Sequence, residues 1–141
     1  MRSQHGTTLI EVCVAILLVS ALAAVALPSL RLATERARAR SAIQEASALF
    51  SIARRQAITR RAFVAVSIDT ARGSIVVRAG GRVLAREPLG ARYGVRLAAS
   101  RDSMAYDPRG LGFGAANLSL VARRGRAAET LLVSRLGRTR R

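Results

Sequence analysis

The chain has 141 residues, enough for one modest domain plus an apolar appendage. All 24 basic residues are Arg, they outnumber 8 acids, and the net charge of +16 calls for an anionic partner such as a nucleic acid or a membrane surface. Cys13 and His5 are the single Cys and His of this sequence, which excludes a disulfide within it and leaves almost no ligands for zinc or for acid–base catalysis. We therefore expect no enzyme, and we find no candidate catalytic, metal-binding or cofactor-binding residues.

An uncharged apolar run covers residues 12–27, and with its flanks it reaches the length of about 20 residues that crosses a bilayer. Two simple interpretations are open. One is a secretory signal cut near the small residues Ala24 and Ala26, and the other is an uncleaved anchor. Neither explains Glu11, which lies at the start of the run, because a carboxylate in an apolar span costs several kcal/mol unless it is paired.

The partner of Glu11 must come from outside the span, because no Arg lies within helical reach of it there. A free α-amine on a neighbouring copy, created by a cut after Gly6, would neutralise the carboxylate. This is a third interpretation of the N-terminal run.

The stretch from Gly6 through Thr7 to Glu11 resembles the type IV prepilin processing site. The resemblance implies that prepilin peptidase cuts after Gly6 and methylates Thr7, and that Glu11 pairs with the new amine during filament assembly. Pro28 occupies the position of the family's helix proline. The departure is Thr7, where most family members carry Phe.

The resemblance also implies a single-pass protein of the bacterial inner membrane, with its C-terminal domain in the periplasm and later in a filament with other pilins. The charges around the span predict the opposite topology, because one Arg precedes it and four follow closely: Arg2 before, then Arg31, Arg36, Arg38 and Arg40. We follow the motif, since Glu11 and the polar leader are otherwise unexplained. The four later Arg residues are then expected to contact lipid headgroups.

Beyond Pro28 an amphipathic pattern predicts that the helix continues to about residue 60. Its apolar face repeats every three or four residues, at Ala39, Ile43, Ala46, Phe50, Ala53 and Ala57. Polar residues, among them Ser47, mark the opposite side.

From residue 62 the period changes to two, which predicts β-strands. The predicted strands cover residues 63–68, 74–78, 82–86, 95–99, 104–106, 118–122 and 130–134. The expected fold class is α+β, with a long N-terminal helix packed on a small antiparallel sheet. The expected segments are a leader (1–6), a transmembrane and assembly helix (7–30), an amphipathic helix (31–61) and a β-rich domain with a basic tail (62–141).

Two segments of the β-rich domain, MAYDPRG (104–110) and LVSRLGR (132–138), are similar to elements of the GspH/FimT minor pilins and pseudopilins. This resemblance implies a structural subunit of a type II secretion pseudopilus or of a type IV pilus.

The densest positive patch is the C-terminal tail, with Arg138, Arg140 and Arg141. We expect a flexible terminus whose guanidinium forks could hold a phosphate backbone, and the FimT branch of the family implies DNA uptake through this element. A basic tail can equally be a solubilising end. Few aromatic residues are placed to stack on bases (Tyr93, Tyr106 and Phe113), so any DNA contact is expected to be non-specific.

Overall fold

The computed structural model describes residues 8–113 and 117–140. The predicted processing residues Gly6 and Thr7, and the tail residue Arg141, lie outside the described residues. The chain divides into two units, here named the anchor unit (Met1–Thr34) and the head unit (Glu35–Arg141).

The long helix α1 covers Leu9–Arg60 and includes Pro28. Within the head unit, α1 buries one face at spacings of three and four residues, which confirms the predicted apolar stripe of six residues. The prediction for Ser47 is wrong, because this residue is buried rather than exposed. Its hydroxyl lies 3.3 Å from that of Thr139, so a polar partner from the end of the chain makes the burial tolerable.

The β-strands of the described residues form two antiparallel sheets. The first has the order β3-β2-β1-β5-β6 and the second the order β4-β7-β8-β9. The strand bounds are β1 Val64–Asp69, β2 Ser74–Ala79, β3 Arg82–Glu87, β4 Arg96–Ala99, β5 Ser103–Tyr106, β6 Gly112–Phe113, β7 Asn117–Arg124, β8 Ala127–Ser134 and β9 Thr139–Arg140. A short helix, α2 (Leu89–Tyr93), stands between β3 and β4.

The hairpins follow local turn chemistry. Gly80 and Gly81 have φ of 52° and 81° and connect β2 to β3, as a turn with two left-handed residues requires. The turn before β2 is closed by Asp69, whose Oδ1 accepts the backbone N–H of Arg72 at 2.9 Å.

One hydrophobic core joins α1 to both sheets. Phe50 of α1, Tyr106 of the first sheet and Leu131 of the second are all fully buried in it. The architecture is the expected α+β class, a long N-terminal helix packed on antiparallel β-structure.

Candidate functional site

The anchor unit presents an apolar helical surface. All large apolar residues of α1 up to Leu30 are exposed, and α1 is long and apolar enough to cross a membrane. The hydroxyls of Ser20 and Ser29 donate to backbone carbonyls of their own helix at 2.7 and 2.8 Å, so they do not need outside partners. The surface therefore offers lipid or a neighbouring helix little besides apolar contact.

Glu11 lies in the first turn of α1, where its carboxylate faces the positive end of the helix dipole. The hydroxyl of Thr8 accepts the backbone N–H of Glu11 at 3.4 Å, which is half of a capping box. This capping contact is not among the expectations from the sequence, although the Thr-x-x-Glu spacing signals it. In the part of the chain that the structure describes, Glu11 makes no ion pair.

In the head unit, most acids are engaged in internal contacts. Arg92 donates to Glu45 at 2.5 Å and to Glu87 at 3.1 Å, which ties α2 to α1 and β3. The hydroxyl of Tyr93 also donates to Glu45, and this hydrogen bond is the main cause of the raised pKa of Tyr93.

Two further acids hold turns. Glu35 accepts the backbone N–H of Arg126 at 3.1 Å, and Asp107 accepts those of Arg109 and Leu111, both at 2.9 Å. Among the described residues, Arg72 and Arg92 alone form ion pairs. Residues 35–140 hold 21 Arg against 7 acids, so most of the net charge of +14 faces solvent without an internal partner.

The outward side of the four-stranded sheet, here named the basic face, carries Arg without acids. Strand alternation places Arg96, Arg123 and Arg140 on it, and all three are exposed. Glu129, the single acid in the sequence of these four strands, pairs with buried Ala122 and so belongs to the inward side. Arg96 and Arg123 are direct cross-strand partners, an unfavourable pairing of like charges.

Up to residue 140, the C-terminal segment differs from the flexible terminus that the sequence predicted, because it ends in a paired strand. Thr139 and Arg140 form β9, which pairs with Val133 and Leu132 of β8. The physical reasons are the turn at Gly137, where φ is 71°, and the contact of Thr139 with buried Ser47.

Arg138 and Arg140 remain exposed beside a groove of about 380 Å³. Its apolar lining includes Leu132 and Leu136, which are 52% and 58% exposed. The groove therefore combines two cations with an apolar floor, which suits a ligand that is both anionic and apolar.

The aromatic residues named from the sequence lie elsewhere. Tyr106 is fully buried, and burial raises its pKa to about 12. Tyr93 is held by Glu45. Phe113 is exposed and makes an edge-to-face contact with Phe63, with ring centroids 5.2 Å apart, on the five-stranded sheet. No aromatic residue occurs in the sequence of β4, β7, β8 or β9.

An apolar N-terminal helix that continues into an amphipathic segment packed on antiparallel β-structure is a pilin-like fold. More narrowly, the chain belongs to the GspH family, since the family model described as type II transport protein GspH matches residues 42–137, more than half of its length. A chain of this family with this fold is a protein of the minor pilin or pseudopilin type.

The fold is similar to that of the type IV minor pilin FimU of Pseudomonas aeruginosa in two crystal forms. The first match has a TM-score of 0.63 and 17% identity, and covers 76% of this chain and 90% of that one. The second has a TM-score of 0.59 and 14% identity, and covers 72% and 90%. No curated protein matches the chain.

Proposed function

We propose that the protein is a filament subunit that prepilin peptidase trims after Gly6 and that assembles with other pilins through its N-terminal helix. The filament is a type II secretion pseudopilus or a type IV pilus. The observation that supports this most directly is the bare apolar surface of α1 up to Leu30, with Glu11 in its first turn.

The apolar surface of α1 up to Leu30 needs a partner that covers it. An apolar helix of this length is stable in lipid before assembly and against neighbouring helices afterwards. The carboxylate of Glu11 is costly in either setting unless a positive group meets it, and a free N-terminal amine at Thr7 of a neighbouring subunit supplies one.

The assembly test uses three variants of the full chain. Glu11→Ala removes the charge and most of the side chain, whereas Glu11→Gln removes the charge alone and keeps the length of the side chain. Ser20→Ala is the matched control within the span. We expect both Glu11 variants to insert in the membrane but to fail to enter filaments, and Ser20→Ala to assemble normally. Normal assembly of Glu11→Gln would show that the charge of Glu11 is not needed for assembly and would contradict its pairing with a neighbouring amine.

The processing test is the N-terminal mass of the protein recovered from membranes. A chain that starts at Thr7, with or without one added methyl group, supports the prepilin interpretation. An intact Met1, or a cut near Ala26, would leave an anchored or secreted basic domain instead.

The proposed location is the inner membrane, with the head unit in the periplasm. A cysteine placed at exposed Thr130 in a Cys13→Ser background tests it with a membrane-impermeant maleimide. We expect labelling in spheroplasts. Labelling only after the inner membrane is opened would place the head unit in the cytoplasm, as the flanking charges predict.

The alternative function is a DNA receptor for uptake, with Arg138, Arg140 and Arg141 on the phosphate backbone. Exposure of Arg138 and Arg140 beside an acid-free sheet face supports it. Gel shifts of the full chain in neutral detergent at several salt concentrations test it. Replacing the three Arg residues by Gln should weaken binding and flatten the log–log salt dependence by about 0.9 for each contacted phosphate. The double variant Arg82→Gln/Arg86→Gln, on β3, is the control, and equal losses in both would reject the tail assignment.

A further inference from the structure

The groove beside β9 is amphiphilic. Its floor includes Leu132 and Leu136, both more than half exposed, and its rim carries Arg138 and Arg140. A sugar–phosphate backbone would satisfy the two Arg residues but would gain nothing from the leucines. A phospholipid offers both parts, a phosphate for the guanidinium groups and a glycerol and acyl boundary for the leucines.

The rest of the basic face is suited to an anionic surface rather than to a single ligand. Its like-charged pair, Arg96 and Arg123, lies on the same side of the sheet as Arg140. Directly opposed like charges destabilise a sheet, and nearby anions relieve the repulsion. A second copy of the chain is a poor partner for the basic face, because residues 35–140 carry a net charge of +14.

The connection of the head unit to the anchor unit also favours contact with a membrane. The head unit follows an anchor unit whose helix is long and apolar enough to cross a membrane. A tethered domain meets the bilayer surface at high effective concentration, so even a weak contact is populated.

We propose that the basic face binds the anionic phospholipid surface of the membrane that holds the anchor unit, with lipid phosphates on Arg138 and Arg140 and with Leu132 and Leu136 at the boundary of the acyl chains. The inference rests on the membrane anchoring in the proposed function, but not on cleavage or filament assembly. Docking of this kind keeps the head unit on the bilayer until filament neighbours replace the lipid.

The test uses the full chain reconstituted in vesicles of phosphatidylcholine alone or mixed with phosphatidylglycerol. A nitroxide is attached at Thr130→Cys on the basic face, or at Ser103→Cys on the outward side of the five-stranded sheet, both in a Cys13→Ser background. We expect the label at residue 130 to become shielded from a water-soluble nickel chelate only when phosphatidylglycerol is present. The label at residue 103 should stay accessible in both vesicles.

Two double variants separate charge from apolar contact. Arg138→Gln/Arg140→Gln should reduce the ratio of docked to free head about 30-fold, because each Arg near an anionic surface contributes about fivefold. Leu132→Ser/Leu136→Ser should also release the label, although it changes no charge. The matched controls on β3 are Arg82→Gln/Arg86→Gln and Val83→Ser, all at exposed positions, and they should leave the label shielded.

Three results would overturn the proposal. One is equal accessibility of residue 130 in both vesicles, and another is shielding that the leucine variants leave intact. The third concerns duplex DNA added to phosphatidylcholine vesicles. If the DNA shields residue 130, and if the leucine variants do not change this shielding, the basic face is assigned to nucleic acid. Glu11→Ala, which should block assembly, should leave the shielding unchanged, so a failure of docking and a failure of the filament function are distinguishable.

Discussion

Replacement of Gly137 by Ala tests whether the C-terminal segment 137–140 is held by packing or serves only as a basic tail. Gly137 has φ of 71°, and a Cβ there would lie 2.9 Å from the carbonyl oxygen of Gly110 and 3.1 Å from the side chain of Arg54. The left-handed conformation costs a residue with a side chain about 1–2 kcal/mol. Relieving the contact with a backbone oxygen adds about 1–3 kcal/mol, as overpacking usually does. We expect Gly137→Ala to lower the free energy of unfolding by about 2–5 kcal/mol.

Gly80 provides the matched control, because its φ is 52° and a Cβ there would meet nothing within 4 Å. Gly80→Ala should therefore lose only the conformational part, about 1–2 kcal/mol. Urea unfolding of the full chain in detergent, followed by tyrosine fluorescence, reports on the head unit, which contains both Tyr residues. A loss in Gly137→Ala no larger than in Gly80→Ala would refute the packing argument and restore the picture of a loose terminus.

Two further predictions concern groups that the fold places in unfavourable surroundings. Burial raises the pKa of Tyr106 from 10.0 to about 12, so its contribution to stability is complete below pH 10 and is lost as the pH rises to about 12. Tyr106→Phe should be neutral or slightly stabilising near pH 7, because the buried hydroxyl has no partner among the described residues, and should reduce the alkaline loss by up to about 3 kcal/mol. An unchanged alkaline profile would contradict this. Arg123→Gln should raise the melting temperature at low salt by relieving the repulsion with Arg96, and added salt should erase the gain. Arg82→Gln, at an exposed position without an opposed Arg, is its control, and an equal rise there would show that only net charge matters.

The elements set by local pattern were predictable from the sequence. The buried face of α1 follows from the spacing of residues such as Ile43, Phe50 and Ala57, and the strands follow from alternation between Gly-containing turns. The turn at Gly80 and Gly81 is one case in which two adjacent residues determine the connection.

The structural features that could not be predicted from the sequence depend on long-range contacts. Ser47 is polar and was therefore expected to be exposed. It is buried because its hydroxyl contacts that of Thr139, near the other end of the chain. The two-residue strand β9 is too short for a periodic signal and exists through pairing with Leu132 and Val133. The division of the strands into two sheets follows from the order in which they pair, which no single segment encodes.

The candidate sites were predicted to different degrees. Glu11 was singled out by the rule that a charge in an apolar run needs a partner, but its capping contact with Thr8 was overlooked. Arg138 and Arg140 were identified by charge density and by the resemblance to the FimT branch. Their apolar neighbours Leu132 and Leu136, and the opposed pair of Arg96 and Arg123, become visible only with the strand register.

The strand register also bears on the topology of the protein. The prepilin motif predicts a periplasmic head unit, whereas the Arg residues that follow the span predict a cytoplasmic one. The positive-inside rule applies to short loops, whereas long domains cross the membrane largely regardless of charge. The Arg residues after the span lead into the head unit, a folded domain that the structure describes to residue 140. Arg96, Arg123 and Arg140, which lie on one acid-free face, are far beyond the roughly 15–20 residues next to a span in which positive charge orients it, so they do not oppose a periplasmic head unit. A periplasmic head unit is therefore compatible with its charge, and the maleimide labelling at residue 130 decides between the two sides.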